Sequence, residues 1–381
     1  MMTEGKSGKK SLLFKSERLI FARRRIIIEK NMTQVTFQDV MGNCNGKEDI
    51  DCSNKGLTSL FGCPKKVRNF NCSENQLTTL EGAPKKVKGD FNCSGNLLTS
   101  LEAAPEEVDG NFDCSNNRLR SLDGSPLFIM GDFSCADNML TSLKGQHDDS
   151  TVACILEGRP EVVEGDFNCS RNKLTTLDGA PHLVGGDFDC SYNQLATLNG
   201  APNKIQGDFE CSNNQLTTLE GSPDCIMGNF SCAGNQLTSL KGGVRDVSGN
   251  FDCSGNQLTS LKGANKKVHG IFNCSVNQLT TLKGAPEEVE TFLCFSNQLT
   301  SLKWAPEKVN GHFDCSDNKL ITLEGAPKRV KGNFNCSENQ LTTLDGTLKK
   351  VSGDFICGKN AELFDDQQVR VAYNVKGNCI S

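Results

Sequence analysis

The sequence predicts a repeat solenoid built from short parallel β-coils, and three observations predict it. A cysteine recurs at 52, 72, 93, 114, 135, 169, 190, 211, 232, 253, 274, 294, 315, 336 and 357. The interval is 21 residues, broken only by 20 at 52–72 and 274–294 and by 34 at 135–169. Each cysteine keeps the same company: Phe two before (Ile50 in the first unit), Asn three after from Asn75 to Asn360, and Leu five and eight after, from Leu57 and Leu60 through Leu341 and Leu344. A turn usually written Gly-Ala-Pro and a V-x-G step link the units. Self-similarity at a fixed short period marks an array in which each unit buries its apolar face only against its neighbours.

The first element is a basic leader. Residues 1–31 hold nine Lys/Arg against three Glu, whereas the whole chain has Lys+Arg 41 against Asp+Glu 46 and a net charge of −5. That leaves −11 on the remainder, a balance that speaks against nucleic-acid binding. The leader's apolar triplets (Leu12–Phe14, Leu19–Phe21, Ile26–Ile28) recur every seven residues with Lys and Arg between them. This pattern fits a basic amphipathic helix, or a flexible leader ahead of Met32. It falls short of the roughly 18–20 apolar residues that span a bilayer, and of the roughly 7–15 of a secretory signal. The expectation is a cytoplasmic protein, of the producing cell or of a host, with no stable membrane insertion.

Residues 32–50 follow as an N-terminal cap, which an open-ended solenoid requires. Residues 51–360 are the repeats, and each position in them has a physical task. F-x-C alternates with period two, so Phe and Cys share one face of a short strand. Strands one long connection apart cannot form hairpins and must stack in parallel, on a concave face. The Asn carries both a donor and an acceptor, and it can satisfy backbone groups where the chain leaves the strand. The two Leu fill the core behind the strand, and Gly and Pro turn the chain back. The return, convex side is too short for helices and should be irregular or 3₁₀ in character.

The 34-residue interval reads as a worn repeat at 144–165. Val152-Ala153-Cys154 mimics F-x-C there, and Leu156, Pro160 and Val163 resume the turn. A functional loop carrying His147, Asp148 and Asp149 is the other reading. Counting that unit gives sixteen turns and a length of about 75 Å. Residues 361–381 complete the chain as a C-terminal cap. Leu363, Phe364, Val371, Ala372 and Val375 fit a short helix stopping near Gly377, and Val375-x-Gly377 echoes the V-x-G step as a final half-strand.

The unit F-x-C-x-x-N-x-L-x-x-L resembles the leucine-rich repeat, L-x-x-L-x-L-x-x-N-x-L, over about residues 50–360, with Phe and Cys in the places of two Leu. Most units insert one residue in V-x-G-x-F where the family has L-x-x-L; only Val67 to Phe70 and Val289 to Phe292 keep the family spacing. Units this short resemble bacterial and bacteriophage members, including effector proteins of pathogens. Some effectors of the family carry a ubiquitin-ligase domain after the repeats, whereas 24 residues follow Cys357 here.

Twenty Cys raise the question of zinc or disulfides. Zinc sites want Cys pairs two to four apart, and the column offers none. In-register parallel neighbours hold their Cβ atoms near the strand spacing, beyond the roughly 3.5–4.5 Å of a disulfide. Cys is therefore read as a small buried hydrophobe in a reducing cell. No metal or other cofactor is expected. Cys44, Cys63, Cys154, Cys225 and Cys379 lie off the column without a catalytic companion, and the four His are scattered. The expectation is a protein that is not an enzyme.

Binding is then expected on the outward positions of the concave strands, three before, one before and one after each Cys, usually Asp or Asn, Asp or Asn, and Ser. The acidic stretch of Asp166, Asp187, Asp189, Asp208 and Glu210 with Tyr192 beside it could hold a basic peptide or divalent ions, or simply serve as a solubilising surface. Thr291, Leu293 and Phe295 replace the polar set in one rung. Ile271 precedes them, Val276 lies near, His312 follows, and Trp304 replaces the turn Gly of the same unit. Exposed Leu and Phe in a polar sheet mark a contact surface. The expected function is a non-catalytic protein-interaction scaffold with a protein partner on its concave face. Its alternatives are a phage or pathogen inhibitor or effector that sequesters a host component, and a cation-dependent structural protein.

Overall fold

A computed structural model describes residues 34–46, 48–144 and 160–381. The basic leader, and His147, Asp148, Asp149 and Val152-Ala153-Cys154, lie outside the described residues. Most F-x pairs form two-residue strands, and these stack in register into a sixteen-stranded parallel sheet running from Ile50–Asp51 to Cys379–Ile380. Phe pairs with Phe from rung to rung, so the side chains of one face form continuous columns. The return path is extended. Its x-V step makes a second set of two-residue parallel strands, nine from Lys66–Val67 to Asp246–Val247 and four from Lys308–Val309 to Asn374–Val375.

The columns are the core. The Phe, Cys and Leu of the repeats are almost fully buried, except the partly buried Leu344, with Val or Ile of the return strands closing the far side. Burying one such side chain stabilises by about 2 kcal/mol, and every rung repeats the gain against its neighbours. The Phe rings form a ladder from Phe70 to Phe355 with successive centroids 5.1–5.9 Å apart. Both ends are closed by an aromatic from a cap. Helix α1 (Phe37–Met41), with a Thr36–Asp39 capping box, places Phe37 on Phe70 at 6.2 Å. Helix α2 (Asp366–Ala372), with an Asp365–Gln368 capping box, leads to Tyr373, whose ring lies 5.5 Å from Phe355. Phe364, Val369, Tyr373 and Val375 carry the packing of this end, while Leu363 and Val371 are exposed.

The Asn column uses its full bonding capacity. Asn235 Nδ2 donates to the carbonyls of Cys211, Cys232 and Ala233 (3.1, 3.0 and 3.3 Å), and its Oδ1 accepts the N–H of Leu216 at 3.0 Å. One side chain thus satisfies four buried backbone groups in two rungs. The cysteines between are free thiols, several donating Sγ–H to the next rung, as Cys211 does to Ser231 O at 3.1 Å. Desolvation by burial holds the thiols of the column well above their ordinary pKa.

The interval at 135–169 is not bridged by a worn rung. Phe133 pairs directly with Phe167, and Ile129 with Val163. A repeat at 144–165 would need a strand between those partners. The sixteenth strand comes instead from Cys379–Ile380, which pairs with Phe355–Ile356.

Candidate interaction face

The outward residues of the concave strands turn out to hold the backbone together. Three residues before the Cys of most rungs, a side-chain oxygen accepts the N–H of the equivalent residue one rung on. Asp187 N–H donates to Asp166 Oδ1, Asp208 N–H to Asp187 Oδ1, and Asn229 N–H to Asp208 Oδ1, each at 2.7 Å. The glycine before each of these residues follows from the same contact. At Gly186 and Gly207 the space for a Cβ is taken by Oδ1 of Asp166 and of Asp187. One residue before Cys, a second acceptor folds over its own turn: Asp189 Oδ1 accepts Ser191 N–H at 2.9 Å, and Glu210 Oε1 accepts Ser212 N–H at 3.1 Å. Short Asx side chains suit both tasks.

The acidic stretch is therefore structural first, yet its charge is uncompensated by any ion pair among the described residues. Burial is the main cause that pushes the Glu210 carboxyl above the ordinary carboxylate range, with the Asp189 carboxylate on the neighbouring rung adding to it. Tyr192 is half-exposed and left-handed (φ +54°), with the Arg171 guanidinium 4.5 Å from its ring centroid. Among the described residues no group of three or more His, Cys, Asp or Glu is arranged to hold a metal ion.

The apolar rung differs in detail from its sequence expectation. The shortened Val289-to-Phe292 step removes one residue, and the strands Ile271–Asn273 and Thr291–Leu293 lengthen to three residues paired in register. Thr291 is buried in the outward row, and its Oγ1 takes the place of the Asx oxygen, accepting His312 N–H at 3.1 Å. Leu293 and Phe295 are half-buried, and Ile271 is 39 % exposed. Leu293 has no side-chain acceptor, so the fold over the turn made by Asp189 and Glu210 is lost there. Val276 is 52 % exposed and sits at φ +53°. Left-handed backbone is an outlier for a β-branched residue. His312 is exposed on the next rung, its Nδ1 accepting Asn333 N–H at 3.1 Å.

No family model and no curated protein matches the sequence. Among solved structures, the functional domain of InlJ from Listeria monocytogenes, described as including a cysteine ladder, superposes with a TM-score of 0.51 at 21% identity, covering 81% of this chain and 68% of InlJ. The protein has the leucine-rich-repeat fold. YopM from Yersinia pestis, a leucine-rich effector protein, gives a TM-score of 0.45 at 18% identity over 87% of this chain and 88% of its own. The APL1 leucine-rich-repeat domain gives 0.48 at 17% identity over 86% of this chain and 80% of its own.

Two further features of this leucine-rich-repeat coil lie on its return side. Trp304 does not join Leu293 and Phe295. It occupies the left-handed turn position (φ +79°) on the return side, 57 % exposed, at a groove of about 990 Å³ lined also by Ala285, Pro286, Ala305 and Pro306. The sequence reading also missed an apolar row on the return strands. Phe128, Val162 and Leu183 align in register where neighbouring rungs carry ion pairs such as Lys86–Glu107. The signal was present, since the residue before the return-strand Val or Ile is Lys or Glu in many other units.

Proposed function

We propose that the protein is a non-catalytic interaction scaffold that binds a protein partner through its concave face, at the rungs of Ile271 and Leu293. The observation that carries this reading is Val276: an exposed, β-branched residue held at φ +53° in the same unit as exposed Ile271. The equivalent position is Gly in three rungs (Gly95, Gly234 and Gly255), which the backbone accepts without cost. Folding gains nothing from an exposed valine there, whereas apolar surface in a polar sheet gains on being covered.

The test uses the outermost residues, because Leu293 and Phe295 are partly core. Ile271→Asp with Val276→Asp should leave the unfolding free energy no more than about 0.5 kcal/mol below that of the parent, since exposed substitutions are mild. Capture of protein from host lysate by the parent and not by this variant supports the face. Capture that survives the change moves binding elsewhere, with the Trp304 groove next. Sequestration of a host component by an effector or inhibitor is the more specific form of the same reading.

A further inference from the structure

The two surfaces of the coil treat their charges differently. On the return strands, acid and base alternate between rungs and neutralise one another: Lys85 with Glu106, Arg245 with Asp224, Lys267 with Glu288, and Lys328 with Glu307. On the concave strands, Asp187, Asp189, Asp208, Glu210, Asp252 and Asp314 take part in no ion pair among the described residues. From Asp187 to Glu338 the outward positions of these strands, including the one two after each Cys, hold no Lys or Arg. The carboxylates lie on both sides of the apolar rungs, Asp252 before Ile271 and Asp314 after Leu293.

We infer that the concave face takes a cationic peptide segment carrying an apolar anchor: the anchor covers Ile271, Val276 and Leu293, and flanking Lys or Arg side chains lie along the carboxylates. This inference rests on the interaction reading above and adds the chemistry of the partner. Charge complementarity is its argument. Stacked carboxylates repel one another, and a concave surface of one sign concentrates the opposite sign within it. The same field disfavours polyanions, so nucleic acids and anionic bilayers do not suit this face. The fold needs an acceptor at these positions but not a charge. Asn111, Asn229 and Asn250 accept the next rung's N–H as Asp187 does.

That equivalence gives a clean test. The full chain is immobilised and challenged with a displayed library of random dodecapeptides, in parallel with two variants. Asp187→Asn with Asp208→Asn removes charge and keeps the acceptors, and Val276→Asp removes the apolar surface. Thermal denaturation of each variant confirms that the coil is intact. The expected pool is rich in Lys and Arg with one or two large apolar residues. A peptide resynthesised from it should bind the Asn variant about tenfold more weakly at low salt, with the difference shrinking as salt rises. A pool that is neutral or acidic but depends on Val276 overturns the cationic partner and leaves the interaction face standing. A pool that ignores Val276, or no enrichment over the Val276→Asp chain, overturns both.

Discussion

The backbone N–H of Val276 donates to the carbonyl oxygen of Phe295 at 3.0 Å. This bond holds a β-branched residue in the left-handed region at φ +53°, where an L side chain costs about 1 kcal/mol or more. Replacing it with the residue types that fit this conformation should separate fold from function. Val276→Asn is expected to raise the unfolding free energy by about 1 kcal/mol, because Asn tolerates left-handed backbone. It should weaken partner binding at the same time. Urea denaturation and an affinity measurement on the same preparation check both halves. A variant that gains no stability would show that the strain is absent.

The Asn column predicts a large asymmetry between neighbouring positions. Asn235 is buried with its amide aimed at three carbonyls, whereas Asn213, one position earlier in the preceding unit, is exposed. Asn235→Asp turns a donor into an acceptor facing acceptors and buries a charge, an expected loss of about 3 kcal/mol. Asn213→Asp should change stability by less than about 0.5 kcal/mol. Circular dichroism in a urea series compares them directly. Equal effects would remove the column from its role as the backbone's partner.

The columns were legible in the sequence because each is a same-side periodicity: Phe, Cys, Asn and Leu repeat where burial demands them. The outward residues were harder. The bond from Asp187 Oδ1 to Asp208 N–H joins positions 21 residues apart, and nothing within one unit shows that the polar row is an acceptor ladder. Thr291 belongs to the same ladder: it is buried, yet its Oγ1 accepts His312 N–H as an Asx oxygen does in other rungs. Trp304 shares a unit with Leu293, but half a coil separates turn from strand, so proximity in sequence misled. At 144–165, Val152-Ala153-Cys154 imitates a rung locally, and only the Phe133–Phe167 pairing shows that no rung is inserted.

Glu210 gives a pH dependence with a definite sign. Burial raises its folded-state pKa, so the protonated form is the one the fold prefers. The stability tied to this preference is present below the ordinary carboxylate range and is lost as pH rises through the raised value. At neutral pH the ionised side chain therefore costs stability, and Glu210→Gln should raise the denaturation midpoint there. The advantage should vanish as pH falls below about 4. Midpoints measured for both proteins across this range check it. A constant difference between them would assign the effect to packing rather than to charge.

His312 supplies the acceptor of its rung with an imidazole nitrogen where most other rungs use an Asx oxygen. His312→Ala removes that acceptor and should open the Asn333 amide to exchange, whereas His312→Asn returns an oxygen to the same place, as Asn250 does for Ile271 N–H at 2.7 Å. Hydrogen exchange resolved at the Asn333 amide, expressed as protection relative to the unfolded rate, distinguishes the three proteins. Protection lost in His312→Ala and kept in His312→Asn assigns this amide to the side chain one rung from Leu293. Equal protection in all three would mean that the imidazole does not hold this amide.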